Sequence, residues 1–159
     1  MTRARPPIDR RRRAFALGAL GLAATPWAAA ATPPIAIEVW KDPNCGCCQD
    51  WIAHVEQHGF KVSVRDEGNN AARSRLGMPP QYGSCHTALV RGYVIEGHVP
   101  AADIARLLQE KPVALGLAVP GMPIGSPGMD GPAYRGRRDR YQVLLIGKDR
   151  KATNFSSYA

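Results

Sequence analysis

Ile35-Ala36-Ile37-Glu38-Val39-Trp40-Lys41 alternates apolar and polar residues, Asp42-Pro43-Asn44 turns the chain, and Cys45-Gly46-Cys47-Cys48 follows at once. The alternation is that of a half-buried strand, and the turn supplies a helix N-cap. Beyond it Trp51, Ile52 and Val55 recur at helical spacing until Gly59-Phe60 stops the run. Three of the chain's four cysteines are therefore predicted at the N-terminal end of a helix. Helix N-termini carry unpaired amide protons and the positive end of the macrodipole, which favour thiolate over thiol. Thiolate is the form that attacks disulfides and binds soft metals. Cys45 and Cys48 also have the Cys-x-x-Cys spacing of dithiol redox sites.

Working outward, Lys61 to Asp66 alternates as a second strand, and a short helix is predicted around Asn70 to Leu76, ended by Gly77-Met78-Pro79-Pro80. Two apolar runs, Thr87 to Val90 and Tyr93 to Glu96, flank Arg91-Gly92 in the pattern of a tight β-hairpin. Pro100 opens a helix with Ile104, Leu107 and Leu108 on one face. The predicted order is β-α-β-α-β-β-α, an α/β fold of thioredoxin-like class. From Pro112 the texture changes. Leu115 to Met129 is dense in Pro and Gly and reads as a long irregular loop whose apolar content argues against simple disorder. Arg135 to Arg140 reads as a basic exposed stretch, either a solvated face or a dock for an acidic partner. Tyr141 to Ile146 and Ala152 to Phe155 are predicted to form a terminal hairpin around Gly147-Lys148-Asp149-Arg150, and there is no internal repeat.

Residues 1–31 read as an export signal peptide and residues 32–159 as a single thioredoxin-like metal-binding domain. Arg10 to Arg13 form a basic region, Ala14 to Ala24 an apolar stretch, and Ala28 to Ala31 offer small-residue cleavage sites. Arg12-Arg13-Ala14-Phe15 resembles the core of a twin-arginine signal, although no Ser or Thr precedes the arginine pair; a general secretion signal is the alternative. The apolar stretch is short, Gly- and Ala-rich and broken by Pro26, so it makes a poor membrane span. The expected location is the periplasm, with no stable membrane span after cleavage. Of 21 Lys plus Arg and 13 Asp plus Glu, the leader takes six arginines and Asp9, leaving fifteen basic against twelve acidic residues. The pI of about 9.7 is thus largely a property of the leader, and nothing demands nucleic acid.

Four cysteines in an exported chain can be two structural disulfides. Spacing argues against that, because adjacent Cys47 and Cys48 cannot both reach distant partners comfortably and only Cys85 lies outside the cluster. In a thioredoxin-like domain the loop before the third strand packs against the active-site helix N-terminus. Here that loop is Ser84-Cys85-His86-Thr87, so Cys85 and His86 are predicted to return to the cluster. Two chemistries fit and are not exclusive. In the redox reading Cys45 is the catalytic nucleophile and Cys48 the resolving thiol. In the metal reading Cys45, Cys47, Cys48 and Cys85 are thiolate ligands, with His86 or a loop methionine, Met122 or Met129, as a further donor. Softness favours Cu(I), with Zn(II) the less suited competitor: tetrahedral zinc draws on separated Cys pairs, whereas crowded thiolates suit low-coordinate copper.

The other candidates carry plainer readings. His98 is expected to be structural or capping, and His54 and His58, at i,i+4, solvent-facing. Trp40 and Trp51 are expected in the core, and methionines in apolar loops more often fill gaps than bind metal.

Asn44-Cys45-Gly46-Cys47-Cys48, Ser84-Cys85-His86-Thr87, Val94 to Pro100, and Gly116 to Pro123 through Gly125-Ser126-Pro127-Gly128-Met129 together resemble a known family. It is the periplasmic metal-binding family long catalogued as a domain of unknown function, whose better-known members are the CopG-type copper-associated thiol oxidoreductases of bacterial copper-resistance systems. The resemblance runs from about Ile35 to Ile146, with Asp130 standing where Glu is usual. It implies a thioredoxin-like fold, Cu(I) binding at the clustered cysteines and redox interconversion of copper or thiols. The expected function is that of a periplasmic copper(I)-binding protein of a copper-resistance system, with other periplasmic copper-handling proteins as partners. Whether it turns over as a copper or thiol oxidoreductase stays open at this point. One alternative is a metal-independent dithiol-disulfide oxidoreductase, against which stands Cys85-His86 where such enzymes carry a cis proline. The other is a non-catalytic interaction module with structural disulfides.

Overall fold

The computed structural model describes residues 33–159, and the leader expected over 1–31 lies outside them. Strand β1 (Ile35–Lys41) runs into helix α1 (Gly46–Gln57), and β2 (Phe60–Arg65) returns parallel to β1. Helix α2 (Asn70–Leu76) leads through a 3-10 turn (Pro80–Tyr82) to β3 (His86–Val90), which pairs antiparallel with β1. Strand β4 (Tyr93–Glu96) completes the hairpin with β3, α3 (Ala101–Glu110) follows, and β5 (Ala114–Ala118) lies parallel beside β4. Strands β6 (Tyr141–Gly147) and β7 (Ala152–Tyr158) close a mixed sheet of order β2-β1-β3-β4-β5-β6-β7.

Successive side chains of a strand point to opposite faces, so this sheet sorts its apolar residues into two clusters. Ile37, Val39, Ala88, Val90, Ile95, Leu117 and Val143 pack with Trp51, Ile52 and Val55 of α1 and Ile104, Leu107 and Leu108 of α3. Val94, Ala118 and Ile146 form a second cluster with Met78, covered by Leu76 and Tyr82 from the α2 side. Trp40 and Trp51 are both buried, as the sequence predicts, and the Trp51 indole N–H donates to Val99 O at 2.9 Å. Burying Trp51, Ile52 and Val55 contributes about 1.5–3 kcal/mol each, so packing rather than capping holds this helix.

The hairpin turn is as expected. Arg91 and Gly92 have φ of 45° and 85°, the paired positive values of a tight turn matched to strand twist. Pro100 caps α3 rather than entering it: its carbonyl accepts from Asp103 N–H at 3.0 Å and Ile104 N–H at 3.1 Å.

The expectation of a loop beginning at Leu115 needs correction, because Ala114–Ala118 is strand β5. It shows no alternation because Leu117 packs into the cluster with α1 and α3 while Leu115 and Ala118 face the Met78 cluster, and a strand covered on both faces reads as a continuous apolar run. Gly116 is required by the fit: a Cβ there would lie 1.7 Å from Val94 O. The Pro- and Gly-rich connection therefore starts at Val119 and runs to β6, interrupted by the 3-10 turn Pro132–Tyr134. No helix among the described residues is long and apolar enough to cross a membrane.

Candidate metal centre

The turn before α1 is built by Asp42, whose Oδ1 accepts Asn44 N–H at 2.8 Å while its carbonyl accepts Cys45 N–H at 3.1 Å. The carbonyl side is fixed by Lys41, fully buried, whose Nζ donates to Asp42 O at 3.0 Å and pairs with Asp66 Oδ1 at 2.7 Å. The N-cap is Cys45 and not a residue of Asp42-Pro43-Asn44, and no side chain caps the first turn. Its amides therefore lack a side-chain acceptor, and the positive end of the helix lies among the cysteines.

Cys85 reaches this corner because Ser84 is clamped. Glu96, buried on β4, accepts from Ser84 N–H at 2.7 Å and from Arg73 Nε at 2.9 Å on one oxygen, and from Thr87 Oγ1 at 2.7 Å on the other. Arg73 also donates to Ser84 O at 2.5 Å, as does the Asn69 amide at 3.1 Å. Burial pushes the Glu96 carboxyl pKa up, against the pull of its Thr87, Ser84 and Arg73 partners. Sequence reasoning missed Glu96 and Arg73. The available clue was a carboxylate inside an apolar hairpin strand.

Cys45 and Cys48 are joined by a disulfide, and Cys47 and Cys85 are free thiols, both half-buried. Cys47 Sγ lies 3.6 Å from Cys45 Sγ and 3.9 Å from Cys85 Sγ. All four sulfurs fall within 4.8 Å of one another, an arrangement able to hold a metal ion once the sulfurs are reduced. The Cys85 thiol is pushed up to about 12, by burial first and by Cys47 next, so it carries its proton at neutral pH.

The neighbouring ligand atoms are imidazoles. His98 Nε2 lies 3.0 Å from Cys85 Sγ, while its Nδ1 lies 2.7 Å from Pro127 O. Only an N–H can pair with that carbonyl, so Nδ1 holds the hydrogen and Nε2 accepts from the Cys85 thiol. His86 Nδ1 lies 3.5 Å from the same sulfur, and its ring packs on Trp51 at 4.2 Å. Burial lowers the pKa of both histidines, with the His98 ring lowering His86 further, and both are neutral at pH 7. Cys85, His86 and His98 form a second set of donors within 4.8 Å. The structural role expected of His98 is thus incomplete, since its ring touches the sulfur directly. A histidine twelve residues beyond the Cys85-His86 pair, across a two-stranded hairpin, was the signal for it.

The Pro/Gly segment closes over the same corner. Gly128 has φ of +84°, and a Cβ there would lie 2.6 Å from Cys47 O and 2.8 Å from Trp51 N. The Ser84 hydroxyl donates to Gly121 O. Met129, half-buried, accepts the Tyr134 hydroxyl on its sulfur at 3.2 Å, and Met122 is 51% exposed. The solvent-facing reading of His54 is corrected: it is half-buried, and its Nε2 accepts Ala101 N–H at 3.1 Å at the start of α3. His58 is exposed, as are Arg135 to Arg140.

Residues 82–129 match a family described as a protein of unknown function, DUF411. The chain is also similar to two solved structures. One, titled copper resistance protein copG, form 2, is 48% identical over 79% of this chain and 99% of that chain, with a TM-score of 0.72. The other, form 1, is 49% identical over 79% of this chain and 98% of that chain, with the same TM-score of 0.72. No curated protein gives a significant match.

Proposed function

The chain belongs to the family of the copper resistance protein CopG, and on that premise we propose that it handles copper(I) in the periplasm, with the ion as its cargo. The observation that carries this reading is the gathering of four cysteine sulfurs within 4.8 Å. Thiolates are soft donors, and crowded sulfurs able to bridge suit Cu(I) better than the separated pairs that zinc uses. The ligands in this reading are Cys45, Cys47, Cys48 and Cys85. His86 is a further donor beside Cys85, and Met129 and Met122 are outlying thioether donors on the covering loop. Residues 1–31 serve as the export signal and 32–159 as one thioredoxin-like domain. The succession of β1, α1, β2, α2, β3, β4 and α3 and the sheet order β2-β1-β3-β4 support that fold reading. Other periplasmic copper-handling proteins are the partners that give and take the ion.

Two of the four sulfurs are joined in a disulfide, so a four-thiolate site forms only after Cys45–Cys48 takes up two electrons. This supports extending the reading to a copper or thiol oxidoreductase with Cys45 and Cys48 as the redox pair. Anaerobic titration of the reduced protein with Cu(I) tests the core of the proposal. Uptake depends on the thiolates, and single Cys-to-Ser variants that bind as well as the parent would sink it.

The Cys45–Cys48 bond at the start of α1 also favours a second reading, a metal-independent dithiol-disulfide oxidoreductase. Insulin reduction separates the two: turnover without copper supports this reading, and none with any dithiol donor removes it.

A further inference from the structure

Cys47 is the one sulfur in contact with both halves of the cluster. It touches Cys45 of the disulfide at 3.6 Å and the free Cys85 thiol at 3.9 Å. A dithiol mechanism confined to Cys45 and Cys48 leaves these contacts without a role.

We propose that Cys47 relays the Cys45–Cys48 disulfide inward to Cys85. In the first step the Cys47 thiolate attacks Cys45 Sγ. A Cys45–Cys47 bond forms, the Cys45–Cys48 bond breaks, and Cys48 leaves as thiolate. In the second step the Cys85 thiol passes its proton to His98 Nε2, which already accepts from it, and the sulfur attacks Cys47 Sγ, forming Cys47–Cys85 and releasing Cys45 as thiolate, which takes up that proton. The electron count closes within the molecule. The pair Cys47 and Cys85 is oxidised by two electrons, the pair Cys45 and Cys48 is reduced by two, and the two thiol protons pass from the first pair to the second.

The fold favours this direction of attack. Cys47 lies in the first turn of α1 with its sulfur 3.6 Å from the Cys45 sulfur it attacks, and the leaving Cys48 lies in the same turn. Attack through a shared central sulfur is ordinary thiol-disulfide exchange, whose rate depends on nucleophile, leaving group and access. The chain thus has two isomers at one oxidation level. In one the Cys-x-x-Cys pair is closed. In the other that pair is open as a dithiol while the oxidising equivalent is stored between Cys47 and Cys85. The relay needs no metal and goes beyond the copper reading.

The sequence supplies a clean readout. Trypsin places Cys45, Cys47 and Cys48 in one peptide, Asp42–Lys61, and Cys85 in another, Leu76–Arg91. A Cys45–Cys48 bond leaves the two peptides separate, whereas Cys47–Cys85 joins them. The full chain is stripped of metal, oxidised to one disulfide, held under nitrogen at mildly alkaline pH, then quenched with acid and alkylated before digestion. The joined pair is expected to appear in monomeric protein at a rate independent of protein concentration. In Cys47→Ser the joined pair is expected to fall at least tenfold, with Cys47→Ala and a melting curve as controls on folding. Persistent separation of the peptides in the parent protein would overturn the relay. So would joining that is unchanged in Cys47→Ser, which means direct attack by Cys85, or joining whose rate scales with concentration, which means exchange between chains. Copper titration of the same protein reports on cargo binding separately.

Discussion

Asp103 on α3 and Cys85 ahead of β3 are both polar groups drawn into the molecule, and their surroundings are built differently. Asp103, 4% exposed, has both oxygens engaged: Ser156 Oγ donates at 2.5 Å and Tyr158 OH at 2.6 Å. Tyr158 in turn stacks on Tyr141 at 4.9 Å, and burial together with Asp103 pushes its phenol pKa upward. That cluster pins the last strand to α3. Around Cys85 the partners are a second free thiol and two neutral imidazoles, groups that can exchange a proton for a metal or a new bond. Between these extremes stands Glu96, saturated like Asp103 but used to aim Cys85. The contrast is that this chain uses its saturated carboxylates to fix geometry and leaves the Cys47 and Cys85 thiols free to react.

The largest test of that contrast is Cys85→Ser. Structural zinc sites with four ligands bind with roughly 10–16 kcal/mol, and on a similar share per ligand losing one thiolate should weaken Cu(I) binding by about two to three powers of ten. Stability should change little, as a competitive Cu(I) titration beside a melting curve would show. Next comes Glu96→Ala, which strands Arg73 in a mostly buried site and should lower folding stability by about 3 kcal/mol. Denaturant unfolding measures that loss, and weakened Cu(I) binding by the folded fraction would show that the clamp positions Cys85. Asp103→Asn should cost about 2 kcal/mol through its hydroxyl partners, with Cu(I) affinity unchanged. If affinity falls with it, the two clusters are not independent.

The smallest effect is a pH dependence of the metal-free protein. Burial lowers the pKa of His54, His86 and His98, so the unfolded chain binds more protons than the folded one as pH falls through about 6.5. Stability is therefore present above that value and declines below it. Melting temperatures measured from about pH 7.5 down to about pH 5 should fall. A flat profile would mean that these rings are not held neutral.

Elements governed by local pattern were readable from the residues. Strand β1 alternates, the Arg91-Gly92 turn has its own backbone demand, and α3 presents Ile104, Leu107 and Leu108 at helical spacing. The order of those elements was enough to expect Cys85 beside the cysteine cluster. What escaped depended on neighbours distant in sequence. β5 has no alternation because both of its faces are covered, and its Gly116 resembles loop punctuation until Val94 is seen against it. His98 and Glu96 look like ordinary hairpin residues. Their work follows from register, since Thr87 pairs with Glu96 and the turn beyond carries His98 back to Cys85.

The bare start of α1 sets stability against chemistry. In the reduced chain, where no Cys45–Cys48 bond is lost, Asp or Ser at position 45 would accept first-turn amides and add on the order of 1 kcal/mol to the fold. It would also delete a sulfur from the cluster. A design procedure that optimises folding energy alone would therefore choose a more stable protein at this position and edit out the cluster in doing so.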